Sequence, residues 1–129
     1  MSVFIAIVDG PISGDARAGA EDGGGVGAVL SFDGIVREIE DGRRLVALDY
    51  QAYEPMASGQ LRAIADDVVR RHTLASLSCW HSRGRVPVGR ASLRVVIAAA
   101  HRKEGLTALG EFIDRLKRDV PIWKSAVWG

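Results

Sequence analysis

The sequence is poor in cysteine, in histidine and in basic tracts, and each shortage excludes a class of function. Cys79 is the only cysteine among 129 residues, which excludes an internal disulfide and a cysteine-based metal cage. A single reduced thiol suits a reducing compartment, so we expect a cytoplasmic location. The net charge is +1 and both signs are mixed along the chain, which argues against nucleic acid as the main ligand.

Long hydrophobic runs and nucleotide-binding glycine motifs are also missing. The apolar start, residues 1–8, has no basic flank and is interrupted by Asp9-Gly10-Pro11, so we expect a first strand and no signal peptide or membrane span. The segment 12–25 is rich in Gly, Ala and Asp, and no P-loop pattern follows its glycines, so we interpret it as a flexible surface connection. No cluster of residues predicts a metal ion or a tightly held cofactor.

What the sequence does contain is the pattern of one folded domain over residues 1–129. Hydrophobic residues make up 47% and charged residues 26%, which is ordinary for a globular protein. After a strand at 3–8, the residues 26–36 and 45–53 read as two more strands, with Gly34 marking a bulge or a close backbone approach in the first. The turn signal Asp41-Gly42 lies between them and predicts that they pair as a hairpin.

The second half predicts two helices and two strands. Pro55 suits the first turn of a helix whose apolar stripe includes Leu61 and Val68. Alternation predicts a strand at 77–83, a turn follows at 86–89, and residues 91–100 read as a strand whose second half, 95–100, is apolar throughout and so covered on both faces. With a helix after it, the chain is predicted to be α+β, with a mixed or antiparallel sheet and two main helices.

The last thirty residues carry the chemistry-bearing side chains. The apolar run stops at His101-Arg102, where a helix is expected to begin, and cations at a helix start are unfavourable unless an anion binds there. The predicted apolar stripe, which leaves Lys117 at its border, consists of Leu106, Leu109, Phe112, Ile113 and Leu116. Pro121 should end the helix near residue 118 or 119, so that Lys124 could turn back towards Lys117. Spacing alone also allows Lys117 to be a solvated border lysine.

Several segments, in one order, resemble the family of molybdopterin synthase catalytic (large) subunits. The matching segments are Gly27-Ala28-Val29 with Phe32, Gly34 and Val36-Arg37, then Leu48 to Ala57, Ala100-His101-Arg102, Asp114 to Lys117, and Val120 to Lys124. The resemblance implies an α/β-hammerhead fold and a sulfur transferase. Such an enzyme takes sulfur from a small ubiquitin-like subunit ending in a Gly-Gly thiocarboxylate and converts cyclic pyranopterin monophosphate to molybdopterin.

The resemblance also implies roles for five residues. Lys117 would be the main catalytic residue and Lys124 would support it, while Arg37, His101 and Arg102 would bind the substrate, with contributions from both protomers of a dimer inside a heterotetramer. Planar cationic donors suit a phosphate, and two neighbouring lysines suit proton transfer. The chain departs from the family pattern in Ser125-Ala126-Val127, where an acidic residue is usual. A non-catalytic paralogue that binds a pterin or docks a ubiquitin-like protein is the alternative.

Overall fold

In the computed structural model, which describes residues 1–14 and 23–129, seven strands and two α-helices form one layered unit. The strands are β1 (Ser2–Asp9), β2 (Ala28–Ile35), β3 (Ile39–Glu40), β4 (Arg43–Ala52), β5 (Ser76–Pro87), β6 (Ala91–Ala99) and β7 (Ile122–Trp128). The helices are α1 (Met56–His72) and α2 (Arg102–Asp119). The α+β class with two main helices is therefore confirmed.

The long strand β5 joins two parts of the sheet. Its first half pairs with β6, which carries β2 on its other side, and β1 lies parallel on its opposite edge. Its second half pairs antiparallel with β4, which also pairs with β7 and with the short β3. Gly84, at a φ of +88°, lies where the partner of β5 changes from β1 to β4. The sheet is mixed, as predicted, because only the β1–β5 pair is parallel among the described strands.

Both helices pack on the same face of the sheet and form the main core. The predicted stripe of α1 is buried, and the whole of β6 is buried as well. On α2 the buried positions are Gly105, Ala108, Phe112 and Leu116. Leu106, predicted to belong to the stripe, is 57% exposed, because Gly105 instead approaches Leu30 of β2. A Cβ at Gly105 would lie 2.5 Å from Leu30 Cδ1, so any other residue here would displace the Leu30 side chain.

The predicted hairpin between residues 26–36 and 45–53 is wrong. Asp41 and Gly42 do form a turn, both with positive φ, but it joins β4 to the two-residue β3. β2 pairs with β6 instead, and the bulge predicted at Gly34 is present there as a register shift. The local turn signal was read correctly, whereas the partner of β2 is set by long-range packing of apolar strands.

The turn before β6 and the segment after α2 also differ from the expectation. β5 continues through Pro87, so the turn is shorter than the predicted 86–89 and closes through the bond from the Arg90 amide to the Pro87 carbonyl. β7 was not predicted as a strand.

Within the predicted connection 12–25, Ile12 is buried and bridges to Ala91, while residues 15–22 lie outside the described part. No helix in the described ranges is both long and apolar enough to cross a membrane.

Candidate functional site: a cleft with two lysines and a depression at a helix start

Lys117, Lys124 and Arg37 line one cleft of about 390 Å³, which we name the lysine cleft. Lys117 extends from the last turn of α2, which ends at Asp119 as the sequence predicts. Arg37 follows β2, so the three cations come from three separate parts of the chain. The remaining described lining residues are Phe32, Gly34, Ile35, Val36, Glu40, Leu48, Tyr50, His81, Ser92, Leu93, Leu116, Val120 and Ile122.

Strand β7 brings Lys124 to the cleft. Val120 leaves the helix with extended backbone, and the carbonyl of Pro121 accepts a hydrogen bond from the Tyr53 amide at 3.0 Å. The strand then runs antiparallel to β4, so that Lys124 lies opposite Tyr50. The expected return of Lys124 towards Lys117 is therefore produced by strand pairing, which fixes its position more firmly than a turn would.

Three polar side chains line the floor of the lysine cleft, and none of them was selected from the sequence as a site residue: Tyr50, His81 and Ser92. The Tyr50 hydroxyl donates to Ser92 Oγ at 2.9 Å, and the Tyr50 ring meets the His81 ring edge-on at 5.4 Å between centroids. Burial raises the pKa of Tyr50, and the hydrogen bond to Ser92 opposes this. The available signal was alternation in β5, which puts His81 and Cys79 on one face, but alternation does not reveal that Tyr50 lies beside His81.

His81 is held in one tautomer by the backbone. Its Nδ1 lies 2.9 Å from the carbonyl oxygen of Ser82, and because a carbonyl only accepts, Nδ1 carries the proton. Burial lowers the pKa of His81, with the bond to Ser82 acting in the opposite direction, so the neutral ring is favoured. Nε2 is then left as a proton acceptor. Cys79, two positions earlier, is fully buried, and burial raises the pKa of its thiol to about 12.

The cleft has a positive balance of charge. Its described lining contains three cationic side chains and one carboxylate, Glu40. Cations gathered in a cleft with apolar walls attract anions more strongly than the same charges spread over a surface. The lysine cleft is thus suited to a negatively charged ligand, although the net charge of the chain is only +1.

His101 and Arg102 lie elsewhere, in a depression of about 560 Å³ at the start of α2. His101 is the N-cap residue with extended backbone, its side chain is 82% exposed, and its Nδ1 lies 3.6 Å from Glu104 Oε2. Gly27 also lines the depression and packs closely against the residue before His101. A Cβ at Gly27 would be 2.3 Å from the carbonyl oxygen of Ala100. We name this region the helix-start depression; its described lining is Gly27, Ala100, His101, Arg102, Lys103 and Glu104.

The five predicted site residues are therefore divided. The structure brings Arg37, Lys117 and Lys124 together and leaves His101 and Arg102 in a separate region, and none of the described lining residues is shared. A third hollow, the aromatic groove, is lined by Tyr50, Gln51, Ala52, Tyr53, Arg83, Gly84 and Trp123. Gln51 pairs with Trp123 next to the Tyr50–Lys124 pair, so the side chains of Gln51 and Trp123 project from the opposite face of the sheet to Lys124. Tyr53 and Trp123 are 58% and 59% exposed, so this groove presents aromatic rings at the surface.

Fold and site define an α+β domain built around a cationic cleft, and comparison with known proteins identifies its family. The family model described as MoaE protein matches residues 7–119, and the chain belongs to that family. It is 36% identical over 102 residues to the molybdopterin synthase catalytic subunit of Homo sapiens, a match that covers 79% of this chain and 54% of the human protein. It spans about half the length of the human, rat and rice relatives that it matches.

Solved structures share the fold over most of their length. The crystal structure of molybdopterin synthase from Staphylococcus aureus superposes with a TM-score of 0.88 at 32% identity, covering 95% of this chain and 90% of that chain. A complex of subunits 1 and 2 of molybdopterin-converting factor from Helicobacter pylori superposes with a TM-score of 0.74 at 26% identity, covering 97% and 89%. The predicted hammerhead-type α+β architecture is confirmed by these likenesses.

Proposed function

We propose that this chain is the catalytic subunit of a molybdopterin synthase, a sulfur transferase that converts cyclic pyranopterin monophosphate to molybdopterin. The observation that carries the proposal is the meeting of Lys117, Lys124 and Arg37 in one cleft, although three separate elements supply them. Membership of the MoaE family and the likeness to a molybdopterin synthase structure support the same activity.

In this proposal the two lysines have different roles. Lys117, in the last turn of α2, stabilises or transfers protons at the intermediate formed when the thiocarboxylate attacks a side-chain carbon of the pterin. Lys124, on β7, stabilises the negative charge that develops there. Their supports also differ, since a helix end holds Lys117 and a paired strand holds Lys124 opposite Tyr50.

His101 and Arg102 would bind the phosphate of the substrate from a second copy of this chain. Within one chain they line a region separate from the lysine cleft, so a site that uses all five residues needs a dimer. Arg102 offers a planar fork of donors that matches phosphate oxygens, and the α2 start adds unpaired amides.

The sulfur donor would be a small ubiquitin-like subunit whose Gly-Gly tail ends as a thiocarboxylate, giving a heterotetramer around the dimer. The Helicobacter pylori relative was solved as a complex of two subunits. The exposed rings of Tyr53 and Trp123 in the aromatic groove offer a contact surface for the body of such a partner. We expect a cytoplasmic location, because a thiocarboxylate, like a thiolate, is open to oxidation.

The test is single-turnover conversion of cyclic pyranopterin monophosphate by the native chain with a thiocarboxylated small subunit. Lys117→Ala should lower the rate by roughly 10²–10⁴-fold while the small subunit still binds. Arg118→Ala is the matched control, because Arg118 is the next residue of the same helical turn but is exposed and paired with Asp119. If the native chain binds the small subunit and forms no dithiolene, the chain is a docking paralogue and the proposal is wrong.

A further inference from the structure

His81 is a buried titratable group that lines the lysine cleft but has no role in the chemistry proposed for the two lysines. It is only 6% exposed, yet it lines the cleft together with Lys117 and Lys124. Buried polar side chains are costly unless they are satisfied, so a histidine at this position on β5 requires an explanation. Its Nδ1 is explained by the hydrogen bond to the Ser82 carbonyl.

The other ring nitrogen faces the cleft. Among the described residues no hydrogen bond to His81 Nε2 is found, and none of their fully buried side-chain polar atoms lacks a partner. Nε2 therefore keeps access to solvent, and the cleft is the space that His81 lines. With Nδ1 protonated, Nε2 presents a lone pair to whatever occupies the cleft.

The position of His81 beside the two lysines determines which part of the reactants would reach it. Tyr50 lines both the groove and the cleft, and its ring lies against the His81 ring. In the proposed function Lys117 acts where the thiocarboxylate carbon meets the pterin, so the last carbonyl carbon of the tail reaches the cleft that His81 also lines. The Tyr50 hydroxyl, bonded to Ser92 Oγ, fixes the ring that contacts His81.

Resting on the proposed function, we infer that His81 is the general base that releases the small subunit after sulfur transfer. Once sulfur has joined the pterin, an acyl carbon–sulfur bond still links it to the tail glycine. Water attacks that carbon while His81 Nε2 takes one water proton. The carbon–sulfur bond breaks with its electron pair going to sulfur, which leaves a pterin thiolate and a tail carboxylic acid. That acid loses its own proton to solvent.

The decisive variant is His81→Asn, whose amide can still donate to the Ser82 carbonyl from the position of Nδ1 but offers no base. We expect acyl release in single turnover to slow by roughly 10²–10³-fold with unchanged binding of the small subunit. An acylated pterin intermediate should accumulate, visible by mass spectrometry. His72→Gln is the matched control, because the half-buried His72 contacts Glu111 away from the cleft and glutamine keeps a donor at the Nε2 position.

A pH profile separates a base from a merely structural residue. Native release should fall at acidic pH with an apparent pKa below about 6.5, since burial lowers the pKa of His81, and the variant should lose this limb. The other titratable groups that face the cleft remain in both proteins: Arg37, Glu40, Tyr50, Lys117 and Lys124.

The outcomes are distinguishable. If the native chain makes no dithiolene, the proposed function fails. If the native protein is active and folded His81→Asn releases the acyl group at a rate within about threefold of the native rate, the role of His81 is wrong. The same holds if the variant shows the same acidic limb. Weaker small-subunit binding with an unchanged release rate would also overturn it, by assigning His81 to docking. Should His81→Asn not fold, His81→Gln is measured in its place by the same criteria.

Discussion

The lysine cleft and the helix-start depression are both cationic, but they are built in opposite ways. The lysine cleft is assembled by long-range pairing, with β7 lying along β4 and α2 ending above them, and it has a buried polar floor. The helix-start depression is formed by four consecutive residues, 101–104, and two small neighbours, and its His101 side chain is 82% exposed.

This difference indicates a division of work. A partly buried cleft in which cations and a neutral histidine converge strengthens electrostatic interactions and suits chemistry. An exposed depression at a helix start binds an anion without altering it, and its effect is sensitive to salt. We therefore expect substitutions in the cleft to change rates, and substitutions in the depression to change substrate affinity.

Arg102→Ala should give the largest effect that separates the two regions. Loss of a charge-assisted hydrogen bond to phosphate should weaken substrate binding by about 10- to 100-fold, from roughly 1.5–3 kcal/mol. The rate at saturating substrate should stay near the native value, and the remaining affinity should depend less on salt. Titration calorimetry with the substrate, beside single-turnover kinetics, measures both quantities.

The control for that variant is Arg118→Ala, an exposed arginine at the other end of α2. It should leave substrate affinity native, because Arg118 pairs with Asp119 and lines neither region. A fall in saturated rate for Arg102→Ala as large as that for Lys117→Ala would contradict the division, since both regions would then act in the chemical step.

Gly27→Ala should damage the depression and spare the cleft. The added Cβ would lie 2.3 Å from the Ala100 carbonyl oxygen, so backbone must move where β6 leads into α2. We expect a loss of stability of about 1–3 kcal/mol, seen as a lower Tm, and a few-fold weaker substrate binding. Gly25→Ala is the matched control, because nothing lies within 4 Å of a Cβ there. Equal Tm values for the two variants would show that the close approach at Gly27 is not a constraint.

The helix-start depression was easier to predict from the sequence than the lysine cleft, because the depression is built from neighbouring residues and the cleft from distant ones. The His101-Arg102 pair and the α2 start are local, so an apolar run ending at two cations predicted the junction, and Pro121 predicted the helix end. Lys124 was expected near Lys117, but the strand that carries it was missed, because β7 is an edge strand whose single partner among the described strands lies far back in the chain.

Long-range strand pairing also explains why the predicted hairpin was wrong and why the polar residues on the floor of the lysine cleft were not predicted. The turn at Asp41-Gly42 is a local feature and is present, whereas the choice of β6 as partner of β2 depends on which apolar faces meet in the folded sheet. Tyr50, His81 and Ser92 belong to three strands, and no spacing in the sequence links them. Periodicity gives the face of a side chain, and only the strand order gives its neighbours.

Tyr50→Phe should give the smallest effect and tests whether the cleft floor is as buried as its geometry indicates. Losing the hydrogen bond to Ser92 should cost about 0.5–1.5 kcal/mol at neutral pH. Burial raises the folded-state pKa of Tyr50 above its ordinary value of 10.0. The contribution of the neutral Tyr50 to stability is therefore complete below pH 10.0 and is lost as the pH rises from there through the raised folded-state pKa. Native Tm should therefore fall more steeply above about pH 10 than the Tm of the variant, which lacks the Tyr50 hydroxyl. Parallel Tm curves would mean that Tyr50 ionises as freely as an exposed tyrosine, and the contrast between a buried cleft and an open depression would then lose its basis.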